Sequence, residues 1–252
     1  MQRNEDALKM FSKCDDQPNY APAYISRAFL EKETNSQRAR ADFEKAYSID
    51  KKDWRTWYHL TNYYLGAGMD GRALQLAAAA SQQFPKEDAL RILLARAYLN
   101  SGKYEDSYNV LANASILPRE GQSDVHQLWV ESLVSQALAD MKKSRYQEAV
   151  ARLESSREFP ERLGTGKPDD PDYRIQDHLE IFCYEKLGMT AKAEEARVRI
   201  KAWASRHPGS TAEVETRRVE EWYRSTLPAE PELEALQALA GLIQNAPEKG
   251  HE

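Results

Sequence analysis

The chain repeats itself at a spacing of 34 residues, and this period limits its possible folds more than any other feature. Leu60 corresponds to Leu94, Tyr64 to Tyr98 and Gly68 to Gly102. Ala39 corresponds to Ala73 and then Ser107, Phe43 to Ala77 and Leu111, and Ala46 to Ala80 and Ala114. Matches carried through successive copies at independent positions mean that one supersecondary unit recurs. Such a unit buries its apolar face only against a neighbouring copy. With 11 Gly and 11 Pro in 252 residues, turn formers are few, so the repeating elements are long and helical.

Each repeat reads as two helices joined by a tight turn. From Trp54, the residues Trp57, Leu60, Tyr64 and Leu65 form one apolar stripe at helical spacing. Gly66-Ala67-Gly68 ends that helix, because glycine accepts the left-handed conformation common at helix C-termini. A second helix is expected over 71–83, with Ala73, Ala77 and Ala80 on one face, where small side chains let two backbones approach closely. Phe84-Pro85 closes the repeat. Leu94, Ala95, Tyr98, Gly102, Tyr104, Ser107, Leu111 and Ala114 restate the pattern, which closes at Pro118.

Trp57, Leu60, Tyr64, Gly68, Ala73, Ala77, Ala80 and Pro85 occupy the signature positions of the tetratricopeptide repeat, and the chain resembles that family. Thr61 stands where the family prefers a small residue, and the 19–52 copy fits through Ala39, Phe43 and Ala46 but has a degenerate first helix. The resemblance implies an all-α, right-handed α-α superhelical solenoid of helix hairpins, serving as a noncatalytic scaffold for protein or peptide partners. Two later copies are set further apart. Ser107 to Ala149 is 42 residues and Ala149 to Ala193 is 44, which places insertions near 119–123 and 162–172. The expected organisation is therefore a half-repeat helix over 1–18, about five helix pairs over 19–208, and capping helices with a tail over 209–252. Ala7, Phe11 and Cys14 have second-helix spacing without a first helix, so the chain is expected to be the C-terminal part of a longer protein.

A narrower resemblance rests on Glu120-Gly121, on the stretch from Phe159 to Pro168, and on Tyr184-Glu185-Lys186-Leu187-Gly188. These are similar to long bacterial proteins in which an uncharacterised region related to carbohydrate-active enzymes precedes a C-terminal helical repeat region. The resemblance implies an accessory role, with the inserted-loop residues Glu120, Arg162, Asp169 and Asp170 beside an upstream active site.

No catalytic constellation accompanies the repeats. With 35 Lys and Arg against 40 Asp and Glu, the formal charge of −5 argues against a nucleic-acid binder. Cys14 and Cys183 are too few for a disulfide framework or a cysteine-type zinc site, and the five histidines are scattered, so neither metal nor cofactor is expected. No apolar run approaches the ~18 residues of a membrane span, so no membrane insertion is expected. Gly164-Thr165-Gly166-Lys167-Pro168 resembles a phosphate loop but has Glu161 where its first glycine belongs and Pro168 after the lysine. Paired carboxylates such as Glu194-Glu195 point different ways on a helix and read as solvated faces.

The remaining chemistry is a groove lined by first helices. Tyr58, Asn62 and Arg96 are the expected partner contacts, followed by Glu131 and His178 in later copies. A chaperone-type clamp for a peptide carboxylate is not expected, because Ala89 and Leu93 stand where its lysine and arginine belong. The partner is expected to be a protein, a peptide or an adjoining domain of the same protein.

Overall fold

The computed structural model describes residues 2–13, 19–117 and 124–206. Cys14, Pro118, Glu120, the insertion over 119–123 and the capping helices expected over 209–252 lie outside the described residues. The described residues form eleven α-helices and no strand, divided into two units at residues 101 and 102.

The N-terminal unit holds α1 (Gln2–Lys13), α2 (Ala21–Glu31), α3 (Ser36–Ile49), α4 (Trp54–Gly66), α5 (Asp70–Gln83) and α6 (Asp88–Asn100). Pro22 starts α2, where a missing N–H costs nothing. Asn35 caps α3 by accepting from the Arg38 amide at 3.1 Å, and Asp53 caps α4 by accepting from the Arg55 amide at 3.0 Å. Successive helices pack antiparallel through small residues: Ala28, Ala39, Ala73, Ala77 and Ala80 have essentially no solvent exposure. Phe43, Leu60 and Tyr64 fill the space beside the first three of these, and Trp57 and Leu90 pack with Ala80. Each large apolar side chain so enclosed contributes about 1.5–3 kcal/mol. Arg27 on α2 grips Asp42 on α3 through two hydrogen bonds of 2.6 and 2.7 Å, tying the first hairpin together. The 19–52 copy thus has a full first helix, although its tetratricopeptide signature is weak.

The C-terminal unit holds α7 (Tyr104–Ala112), α8 (Asp124–Lys142), α9 (Tyr146–Ser155), α10 (Arg174–Lys186) and α11 (Thr190–Arg206), with a short 3-10 turn at Glu161–Leu163. Its core gathers Val134, Ala137, Leu138, Ala149, Leu153, Leu179, Cys183, Tyr184 and Ala193. Buried charge supplements this core. Arg152 donates to Asp140 at 2.7 Å and to Gln136 at 2.6 Å, and Arg145 also pairs with Asp140. Around α10, Arg157 bonds Glu180 at 2.6 Å and Asp177 at 2.8 Å, while Arg199 bonds both carboxylates at 2.8 Å. Burial raises the pKa of Asp177 and of Glu180 despite these arginines.

His178, also on α10, is only 3% exposed, so it lines no open groove. Burial first, and the Arg174 guanidinium second, lower its pKa from 6.5 to about 4, against a smaller opposing effect from Asp172.

Three turns share one construction. After α4, Gly68 is left-handed and the Met69 amide reaches back to the Tyr64 carbonyl at 2.9 Å. After α10, Gly188 is left-handed and the Met189 amide reaches the Tyr184 carbonyl at 2.8 Å. After α8 the same role falls to Ser144, at φ 57°, with the Arg145 amide bonded to the Asp140 carbonyl at 2.9 Å. A side chain there costs about 1 kcal/mol. Ser144→Gly is therefore expected to raise the urea midpoint by the equivalent of about 1 kcal/mol, and Gly68→Ala to lower it by a similar amount. Thr61, fully buried, has a hydroxyl with no hydrogen-bond partner among the described residues. Thr61→Val, which keeps the shape of the side chain, is expected to stabilise by ~1 kcal/mol in the same assay, since it removes an unsatisfied polar group.

The depressed pKa of His178 sets a pH dependence. A base whose folded pKa lies below its unfolded value contributes stability above the unfolded value, and loses it as pH falls through the folded one. Stability should therefore fall between pH 6.5 and about pH 4, by as much as ~3 kcal/mol. The raised carboxylates Asp177 and Glu180 act in the opposite sense, adding stability as pH falls through their folded pKa values toward the unfolded ones. Comparing urea midpoints of the parent and His178→Gln at pH 7 and pH 4.5 isolates the histidine: the two should converge at the lower pH, and a constant difference would contradict the account.

Candidate functional site

An aromatic site lies in the N-terminal unit, where α2 and α4 flank a cavity of about 400 Å³. The register of α4 places His59, Asn62 and Tyr63 along one side, and α2 with its C-cap supplies Phe29 and Lys32 on the other. Phe43 from α3 closes the floor. Tyr24 and Ala28 take the inward positions of α2, which leaves Phe29 one step off the apolar stripe and 45% exposed.

The rings interlock. Phe29 meets Phe43 edge to face at 5.4 Å and His59 edge to face at 5.2 Å, and Phe43 lies at 5.4 Å from Tyr63. The Tyr63 hydroxyl donates to the Ser36 carbonyl at 2.7 Å, which fixes its ring. Burial lowers the pKa of His59, partly offset by Asp53, so the imidazole is neutral around pH 7. The result is an apolar recess with a neutral imidazole, an exposed amide at Asn62 and the charges of Lys32 and Glu33 at its rim. This arrangement can accept an apolar side chain and hydrogen-bond the backbone that carries it.

The structure distributes the expected contacts unevenly. Asn62 lines this cavity. Tyr58 is half-buried, at 6.1 Å from Trp54 and 5.4 Å from His59, and packs against the Trp57, Ala80 and Leu90 cluster. Arg96 is half-buried on α6 and does not line the cavity. Glu131 is half-buried on α8 and accepts from Gln127 at 2.7 Å, one turn away. Val134, Leu138 and Met141 on the same helix are core residues, because α8 is buried on most of its circumference. His178 is enclosed, as described above. Phe29 escaped the sequence reading because the first helix of its copy lacks the family signature. Its detectable signal is an aromatic residue one position off the Tyr24–Ala28 stripe.

The inserted loop is partly structural. The Ile116 amide donates to the Arg162 carbonyl at 2.7 Å, the Arg162 guanidinium donates to the Ala112 carbonyl at 2.9 Å, and it lies 5.2 Å from the Trp129 ring centre. Leu163 beside it is fully buried. Asp170 pairs with Arg206 at 3.1 and 3.2 Å, and Asp169 is exposed. Glu120 lies outside the described residues. Cys183 is buried and its thiol is pushed up to about 12, which leaves no thiolate at neutral pH. Among the described residues no group of three or more potential metal ligands occurs, and no helix is long and apolar enough to cross a membrane.

Comparison with known proteins agrees with this geometry at the level of fold. Curated protein sequences contain no match. A tetratricopeptide repeat protein from Parabacteroides merdae is 14% identical, covers 96% of this chain and 91% of its own, and superposes with a TM-score of 0.50. A chain in the structure of Naa15/Naa10 bound to HypK-THB is also 14% identical with a TM-score of 0.50, covering 99% of this chain and 37% of its own. The model of the tetratricopeptide repeat family matches residues 65–128, so the repeats are of tetratricopeptide type across the stretch from the end of α4 to the start of α8.

Proposed function

We propose that the chain is a noncatalytic interaction module that holds a partner polypeptide, or an adjoining domain of the same protein, against the α2–α4 face. The observation that supports this reading most is Phe29, an aromatic ring left 45% exposed at the mouth of a cavity whose other rings are already ordered. Ordered aromatic side chains beside a recess are typical anchors of protein interfaces, because little side-chain freedom is lost when a partner covers them. Asn62 and Lys32 supply directional polar contacts at the rim. Tyr58 supports the site from within α4, and Arg96 on α6 of the same unit and Glu131 in the C-terminal unit are kept as separate candidate contacts.

A second reading, an accessory helical region of a larger carbohydrate-active enzyme, draws on the exposed segment from Gly166 to Asp170. Loss of the full-length protein's activity on glycans in an Asp169→Ala, Asp170→Ala variant would support it, and unchanged activity would reject it. The module reading is tested by Phe29→Ala with Asn62→Ala, titrated calorimetrically against the polypeptide that co-purifies with the parent chain. Binding should weaken at least tenfold, about 1.4 kcal/mol, with helical content and urea midpoint retained. Undiminished binding would place the interface elsewhere.

A further inference from the structure

A second cavity, of about 520 Å³, opens between α3 and α5 on the other side of α4. His59, Asn62 and Tyr63 line the first cavity, whereas Trp57, Leu60 and Tyr64 form the floor of this one. Its origin is visible in the chain. The α5 helix carries Ala77-Ala78-Ala79-Ala80, of which Ala77 and Ala80 pack inward while Ala79 faces the opening with only a methyl group. Two helices that seat closely on α4 are thereby left apart above it. The volume lies within the ~300–1,000 Å³ range of ligand sites.

The rim is not neutral. Glu44 is already satisfied twice, by Arg40 at 2.8 Å and by the Tyr64 hydroxyl at 2.9 Å. Arg72, across the opening, is exposed and makes no hydrogen bond or ion pair among the described residues, though it lies close enough to Glu44 to act on it electrostatically. Arg40 and Arg72 against one carboxylate leave a local positive excess on a chain whose formal charge is −5. An unengaged guanidinium beside an apolar floor is complementary to a carboxylate carried next to a large apolar group.

We infer that the α3–α5 cleft is a second recognition site, for a peptide segment that presents a large apolar side chain adjacent to a carboxylate. The apolar side chain rests on Trp57, Leu60 and Leu76, and the carboxylate takes the fork of Arg72. The site is independent of the α2–α4 face, so the two can be occupied together and can fail separately.

The test uses nitrogen-15 NMR of the full chain with two probes, acetyl-Ala-Phe-Glu-Ala-amide and acetyl-Ala-Phe-Lys-Ala-amide. The glutamate peptide should shift the Trp57 indole and the Ala79 amide resonances and bind at least tenfold more tightly than the lysine peptide. Arg72→Glu should reverse that preference. Ala79→Leu, at an exposed position, should fill the cleft and abolish the shifts with an unchanged circular dichroism spectrum. Absence of shifts at about 5 mM peptide, shifts confined to Phe29 and Asn62, or an unaltered preference in Arg72→Glu would each overturn the inference.

Discussion

Close approach of helices through alanine is the constraint on which the rest of the structure depends. Ala28, Ala39, Ala73, Ala77 and Ala80 in the N-terminal unit, and Ala149, Ala193 and Ala196 in the C-terminal unit, are almost completely enclosed. A larger side chain at any of them would push neighbouring backbones apart, and packed interiors resist such changes. Because the contact residues are so small, the remaining volume must be filled by large partners: Phe43, Trp57 and Tyr64 in one unit, Leu153 and Tyr184 in the other. Where the small residues continue past the contact, as at Ala79, or where a ring stands off the stripe, as at Phe29, the surface is left open. Both cavities thus arise from the same packing that builds the hairpins.

This explains why the hairpins were legible in the sequence and the surfaces were less so. The 34-residue correspondence placed the second helix of the 54–87 copy at 71–83, and the structure has it at Asp70–Gln83. Contact positions repeat because the geometry they satisfy repeats. Phe29 has no counterpart in the repeat signature, so periodicity could not single it out. His178 failed for a different reason. The matching Tyr58 of an earlier copy is half-buried, but nearly all of α10 is buried, including Gln176, Asp177 and Glu180. A rule derived from position within a repeat carries no information about what a later insertion packs beside it. Arg162 shows the same limit: a loop that looked available for function is tied to Ala112 and Ile116.

The two units use their charges differently. In the C-terminal unit, Asp140, Asp177 and Glu180 are nearly solvent-free and bonded to arginines from neighbouring elements. Ion pairs of this kind add little net stability over apolar packing, but breaking one side is costly, so they lock one arrangement of α8, α9, α10 and α11. The 30% charged composition therefore does not describe a solvated face alone. In the N-terminal unit the buried pair Arg27–Asp42 holds one hairpin, and the exposed chemistry is aromatic. One unit is stiffened by internal ion pairs, and the other presents rings around recesses.

The central claim is that the α2–α4 face receives a partner. Its most direct measurement is site-specific photocrosslinking in the source cells, with p-benzoylphenylalanine placed at position 62 and, for comparison, at position 45 on the exposed side of α3. The account predicts a discrete crosslink to another polypeptide, or to another region of the same protein, at 62 and none at 45. Equal crosslinking at both positions, or none at 62 while the protein is folded and abundant, would contradict it.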